Sequence, residues 1–181
     1  GLLNASIEAV ICNRPNARGL ERARNADINT ELVDHTQFDD RETIDNALIK
    51  RIDQYQPDLI ILAGFMRILT SGFVQHYLGR LINIHPSLLP NYPGLNTHQR
   101  AIDAGDSEAG ATVHFVTEEL DGGPAIIQAR VAIETGDDSQ TLAQRILLQE
   151  HKIYPLAAQW FIENRLNLLN NYAMLDGQSL G

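Results

Sequence analysis

The chain has 181 residues, 44% of them hydrophobic, which suits one compact α/β core and leaves too little for two ordinary domains. Lysine and arginine number 14 against 23 acids, a formal net charge of −9 with no basic run, and this argues against nucleic acid as a partner. No apolar stretch is long enough to cross a bilayer, no charged leader precedes a signal-like region, and one cysteine excludes an internal disulfide, so a soluble, cytoplasmic protein is expected with no membrane partner.

In chain order, Gly1-Leu2-Leu3-Asn4 reads like the end of a helix rather than the start of a protein, so a segment upstream is expected. Ile7 to Cys12 follows as a buried strand with Cys12 as a structural thiol. Asn16 to Ala26 reads as a short helix and Ile28 to Val33 as a weaker strand. Asp39 to Tyr55 reads as a helix with Ile44, Leu48, Ile52 and Tyr55 on one stripe behind Asp39 and Asp40 as candidate caps. Asp58 to Ala63 and Leu81 to His85 are further buried parallel strands. The pattern then changes. Ala111 to Val116 and Ala125 to Glu134 are neighbouring strands across a turn-rich stretch and are expected to pair antiparallel. A long final helix starts near Ser139 and runs through Trp160 towards Leu166, with a kink expected at Pro155. These elements predict a doubly wound, mostly parallel, Rossmann-like α/β sheet with a C-terminal antiparallel pair, all in one domain spanning residues 1–181.

The segment Asn83-Ile84-His85-Pro86-Ser87-Leu88-Leu89-Pro90 is the most informative. Two apart on a strand, Asn83 and His85 share one face, and Pro86 ends the ladder there, at a strand's carboxyl end where open α/β sheets bind ligands. An amide and an imidazole side by side can donate two hydrogen bonds to an oxygen gaining negative charge. A satisfied structural pair fits the bare pattern equally well. Asp121, in Glu119-Leu120-Asp121-Gly122-Gly123-Pro124, is by itself a turn aspartate. If its loop reached His85, the carboxylate would stabilise the imidazolium. Arg41 sits in the first turn of its helix, where a cation is mildly disfavoured; that invites a ligand role, although pairing with Asp45 four positions on is the plainer reading. Gly64 to Leu69 directly follows a strand and lies on the ligand rim or in the core. Glu150 falls on the apolar stripe of the last helix with Ile146 and Ile153, and an inward carboxylate needs a partner, from the protein or from a substrate. His35, His76, His98 and His114 show no metal-ligand spacing, so no metal is expected. Ser87 lacks the G-x-S-x-G elbow of a serine hydrolase.

With Asn91-Tyr92-Pro93-Gly94-Leu95-Asn96-Thr97-His98 behind it, the Asn83 to Pro90 segment resembles the signature of the glycinamide ribonucleotide formyltransferases. Ala63 to Leu69, His114 to Thr117 leading to Asp121-Gly122-Gly123-Pro124, and Gln149-Glu150-His151 before Tyr154-Pro155 extend the resemblance from about Ser6 to the Asp176-Gly177-Gln178 tail. It is less similar to formyltetrahydrofolate deformylase, which carries a second His where Pro86 stands and an N-terminal regulatory domain. It is less similar still to methionyl-tRNA formyltransferase, with its basic C-terminal domain.

The resemblance implies the formyltransferase fold and direct formyl transfer from 10-formyltetrahydrofolate, as co-substrate, to the amine of glycinamide ribonucleotide in purine biosynthesis. By carry-over, Asn83, His85 and Asp121 are catalytic. Arg41, Met66, Arg67, Ile68, Leu69, Asn83, Val116, Thr117, Glu118 and Glu119 line the folate pocket, and Pro86 and Glu150 meet the ribonucleotide. A homodimer is left open. The family's first strand and its phosphate-holding loop precede the residues matched by Gly1 to Asn4, so the phosphate half of the site is expected to be incomplete. The alternatives are the hydrolytic formyltetrahydrofolate deformylase and a truncated, non-catalytic folate- or nucleotide-binding domain.

Overall fold

The computed structural model describes residues 3–181. Within the expected helix end at Gly1 to Asn4, Gly1 and Leu2 lie outside the described residues, and Leu3 and Asn4 form a bend. The described residues fall into two compact units, one of residues up to Asp58 with Leu69–His76, the other of Leu59–Ile68 with Tyr77–Gly181.

In the first unit β1 (Ala9–Cys12) and β2 (Asn29–Leu32) pair in parallel, Ala9 opposite Asn29 and Cys12 opposite Leu32, around the crossover helix α1 (Arg18–Asn25). Leu20 and Ala23 give α1 its buried side. Cys12 is only partly buried, yet burial pushes its thiol up and disfavours the reactive thiolate. Helix α2 (Arg41–Asp53) is capped by Asp40, whose carboxylate accepts the Thr43 N–H at 2.7 Å, and it buries Ile44 and Leu48. Asp45 is buried too and accepts the Thr70 N–H at 2.7 Å, just ahead of α3 (Ser71–His76). A buried carboxylate here satisfies an orphan amide at a helix start.

In the second unit β3 (Ile60–Leu62), β4 (Leu81–His85), β5 (Glu108–Phe115) and β6 (Ala125–Ala132) form one sheet in that order. The β3/β4 pair is parallel and the two later pairs are antiparallel. The mixed α/β class and the antiparallel pair are as expected, and the parallel pairs lie in two sheets. Helix α4 (Thr97–Asp103) precedes β5, and the long α5 (Ser139–Ile162) packs Leu142, Ile146, Ile153 and Ala157 with Ile82, Val113 and Phe115 into the main core. Seven of β5's eight residues are buried, the mark of a strand covered on both faces. Pro155 stands inside α5 without ending it, and Tyr154 beside it donates its buried hydroxyl to Leu62 O at 2.6 Å and Ile82 O at 3.1 Å. After α5 comes a meander of β7 (Leu166–Leu169), β8 (Tyr172–Leu175) and β9 (Gln178–Ser179) that was not expected. Among the described residues no helix is long and apolar enough to cross a membrane.

The start of α5 is tightly fixed. Asp138 and Thr141 form a capping box, and Asp137 takes two bonds from Arg145, at 2.7 and 2.9 Å. Arg145 and the Glu134 N–H hold the Asp137 carboxyl down to about 2, below the ordinary 3.8. A depressed folded-state value means stability that is present in full above the ordinary carboxylate range and lost as pH falls towards about 2. Asp137→Asn is therefore expected to lower the melting temperature at neutral pH, with the gap from the parent closing between about pH 4 and pH 2. A gap of constant size across acid melts would show that charge plays no part.

Candidate active site

The site forms at the carboxyl end of β4. Leu81 and Ile82 are fully buried and anchor the strand, while alternation places Asn83 and His85 on one face. Antiparallel pairing with β5 then sets His114 opposite Asn83 and Thr112 opposite His85. Thr112 secures the turn beyond His85, donating to Ser87 O at 2.7 Å and accepting from Leu89 N at 3.1 Å and from Gln128 at 2.9 Å.

Two oxygens flank the His85 ring, one at each nitrogen. His85 Nε2 donates to Tyr92 O at 2.9 Å, and since a carbonyl can only accept, this nitrogen carries hydrogen. Its Nδ1 faces Asp121 Oδ2 at 3.5 Å, with the two side chains only 8% and 9% exposed. The Asp121 carboxylate also accepts the Gly94 N–H at 2.8 Å and stands 4.0 Å from His114 Nε2.

His114 was passed over in the sequence, and it completes the group. Its Nδ1 donates to Phe115 O at 2.9 Å, and burial pushes its titration below the ordinary histidine range, so the ring stays neutral near pH 7. Nε2 is then a lone pair, and Asn83 Nδ2 lies 3.4 Å from it. That contact settles which end of the Asn83 amide faces His114, because turning the carbonyl oxygen there would set two lone pairs against each other.

Asp121 reaches His85 because its loop is folded tightly. Phe115 N–H bonds Pro124 O at 3.1 Å, Gly122 N–H bonds Glu119 O at 3.1 Å, and Asp121 itself adopts a left-handed φ of 52°. Gly123 lies so close to β5 that a Cβ there would sit 1.8 Å from Phe115 O. A Cβ on Gly122 would have the side chain of Glu119 as its nearest neighbour, at 2.4 Å.

The other anticipated residues are placed as follows. Pro86 is partly buried directly after His85. Glu150 is half-buried on α5, and burial raises its carboxyl against the opposing charges of His151 and His85. Met66 and Ile68 are largely exposed beyond β3, at 75% and 54%, with Arg67 partly buried between them. Val116 and Thr117 are partly buried and Glu118 and Glu119 exposed; the Val116 N–H is taken by Leu81 O at 2.9 Å. Arg41, exposed, and Leu69, partly buried, belong to the first unit. Besides His114, the sequence reading missed the Tyr92 carbonyl and the Gly94 amide. Backbone groups leave no side-chain signal, though Gly94 is marked by a φ of 80°. Among the described residues no cluster of three or more His, Cys, Asp or Glu could hold a metal ion.

The sequence profile of the formyl transferase family matches residues 1–158. The phosphoribosylglycinamide formyltransferase of Escherichia coli (strain K12) is 53% identical over 178 residues, covering 98% of this chain and 84% of the relative. That of Haemophilus influenzae is 47% identical over 180 residues, covering 99% and 85%. The solved structure of the Coxiella burnetii phosphoribosylglycinamide formyltransferase, in complex with CHES, superposes with a TM-score of 0.94 at 52% identity, covering 99% of this chain and 84% of that one. With an asparagine, two histidines and an aspartate gathered at the end of β4 and relatives of this identity along nearly all of its length, the chain belongs to the formyl transferase family, among the phosphoribosylglycinamide formyltransferases.

Proposed function

We infer that the chain transfers the formyl group of 10-formyltetrahydrofolate to the amine of glycinamide ribonucleotide, a step of purine biosynthesis in the cytoplasm. The observation that carries this reading is the convergence of Asn83, His85 and Asp121 on one shielded spot. The substrate amine forms a bond to the formyl carbon, and the carbonyl electrons move onto oxygen. Asn83 Nδ2–H and His85 Nε2–H donate to that oxygen, the latter sharing a hydrogen now directed at Tyr92 O. Collapse re-forms the carbonyl and breaks the bond to the folate nitrogen, while one proton passes from the attacking amine to the leaving nitrogen. Asp121, facing the Nδ1 side of the ring, holds His85 in place for that donation.

Exposed Met66 and Ile68 suit the face of a fused aromatic ring, and with Arg67, Asn83 and the backbone from Val116 to Glu119 they form the folate side of this reading. For Arg41 and Leu69 it rests on resemblance alone. Pro86 and Glu150 meet the ribonucleotide, Glu150 accepting from its hydroxyl or amine. The hydrolytic alternative would need water in place of the amine. Incubating the chain with 10-formyltetrahydrofolate, with and without glycinamide ribonucleotide, is expected to give formylated amine and little formate. Formate release at the same rate whether or not the amine is present would overturn the transferase reading.

A further inference from the structure

We propose that Arg100 is a positioning residue for formyl transfer, clamping the Tyr92 to Leu95 loop and through it holding both members of the His85–Asp121 pair. The proposal rests on the reading that His85 acts on the formyl oxygen. Arg100 lies on α4 and its Nη1 donates to Pro93 O at 2.7 Å and to Leu95 O at 3.2 Å. Its guanidinium also lies over the Tyr92 ring, 5.2 Å from the centroid, a stacking arrangement that a planar cation favours. One side chain therefore touches three of the loop's four residues.

The loop needs such a hold. Tyr92, Gly94 and Asn96 all have left-handed φ values, of 55°, 80° and 58°, and such backbone persists in non-glycine residues only where its surroundings determine it. The upstream end is tied by Ser87, whose hydroxyl donates to Asn91 O at 2.6 Å, and the Tyr92 hydroxyl donates to Asp106 at 2.7 Å. Downstream, Asn96 begins α4 with no side-chain cap. Arg100 supplies the fastening there. From this loop two backbone groups, two residues apart, reach the catalytic pair: Tyr92 O takes the His85 Nε2 hydrogen, and Gly94 N–H bonds Asp121 Oδ2. A shift of the loop would free the imidazole to change tautomer and turn the carboxylate at the same time. Preorganised geometry at a reacting centre is sensitive to displacements of this kind.

The test is Arg100→Met, which keeps the apolar stem at an exposed position and removes donors and charge. In the parent, the side-chain 15N shifts of His85 should be those of a ring with Nε2 protonated at high pH. In the variant they should move towards each other as the tautomers exchange, while His76, bonded to Asp53 in the other unit, is the internal control. Turnover should fall at least about 10-fold, the effect of losing a charge-assisted hydrogen bond, with KM for both substrates within about 2-fold. Arg100→Lys, with one ammonium and no stacking plane, should recover part of both effects. Unchanged His85 shifts overturn the proposal whatever happens to the rate. Altered shifts with full turnover would also overturn it, and would count separately against the catalytic reading of His85.

Discussion

His85→Ala is expected to lower kcat for formyl transfer by about 100- to 10,000-fold, the usual contribution of a positioned acid–base group. Folate affinity, measured by direct titration of the variant, should stay within about 2-fold, because the loss falls on an interaction made in the transition state. The geometry supports this separation. The His85 ring is tied to Tyr92 O and faces Asp121, whereas exposed Met66 and Ile68 lie beyond a different strand, β3. After the change Asp121 still has the Gly94 N–H as a partner, so the loop need not collapse. Turnover equal to the parent would end the assignment of His85 as a donor to the formyl oxygen.

The second large effect is expected at Asn83→Asp, with kcat reduced by about 100- to 1,000-fold, the range seen when one donor to a developing oxyanion is removed. The change is nearly isosteric, so packing at the end of β4 is kept while the chemistry is inverted. A donor nitrogen becomes an acceptor oxygen, and the charge falls where negative charge must develop on the substrate. It also sets an oxygen against the lone pair of His114 Nε2, 3.4 Å away across the β4/β5 pair. Steady-state kinetics with both substrates varied separate the possibilities: a loss confined to KM would mean that Asn83 only binds the ground state.

The parts of this arrangement that could be read in the sequence are those set by local periodicity. The strand at Leu81–His85 and the shared face of Asn83 and His85 follow from alternation, and the Asp40 cap from a polar residue ahead of an apolar stripe. Asp121 was recognised through resemblance, because its contact with His85 depends on a loop fold and on the distant Gly94 amide. His114 illustrates the same difficulty. Its importance comes from standing opposite Asn83 on β5, a pairing across 31 positions that no short window contains. Helices α3 and α4 are too short to show a period, and α4 starts at a left-handed Asn96 without a side-chain cap. The terminal meander was legible and overlooked: Asn170-Asn171 and Asp176-Gly177 are hairpin-turn pairs, and all four residues have positive φ. The division of the parallel pairs between two sheets depends on hydrogen bonds between distant strands, which no single run displays.

The two glycines beside Asp121 leave the chain unequal room to change over generations. At position 122 a new side chain would be opposed first by the movable side chain of Glu119, and a shorter residue at 119 would relieve that clash. At position 123 it would be opposed by the Phe115 carbonyl, part of the turn joining β5 to β6. No single neighbouring replacement removes a backbone oxygen. Drift can therefore pass through Gly122 in two ordinary steps, whereas Gly123 is entrenched: a lineage could leave it only by rebuilding the turn that delivers Asp121 to His85.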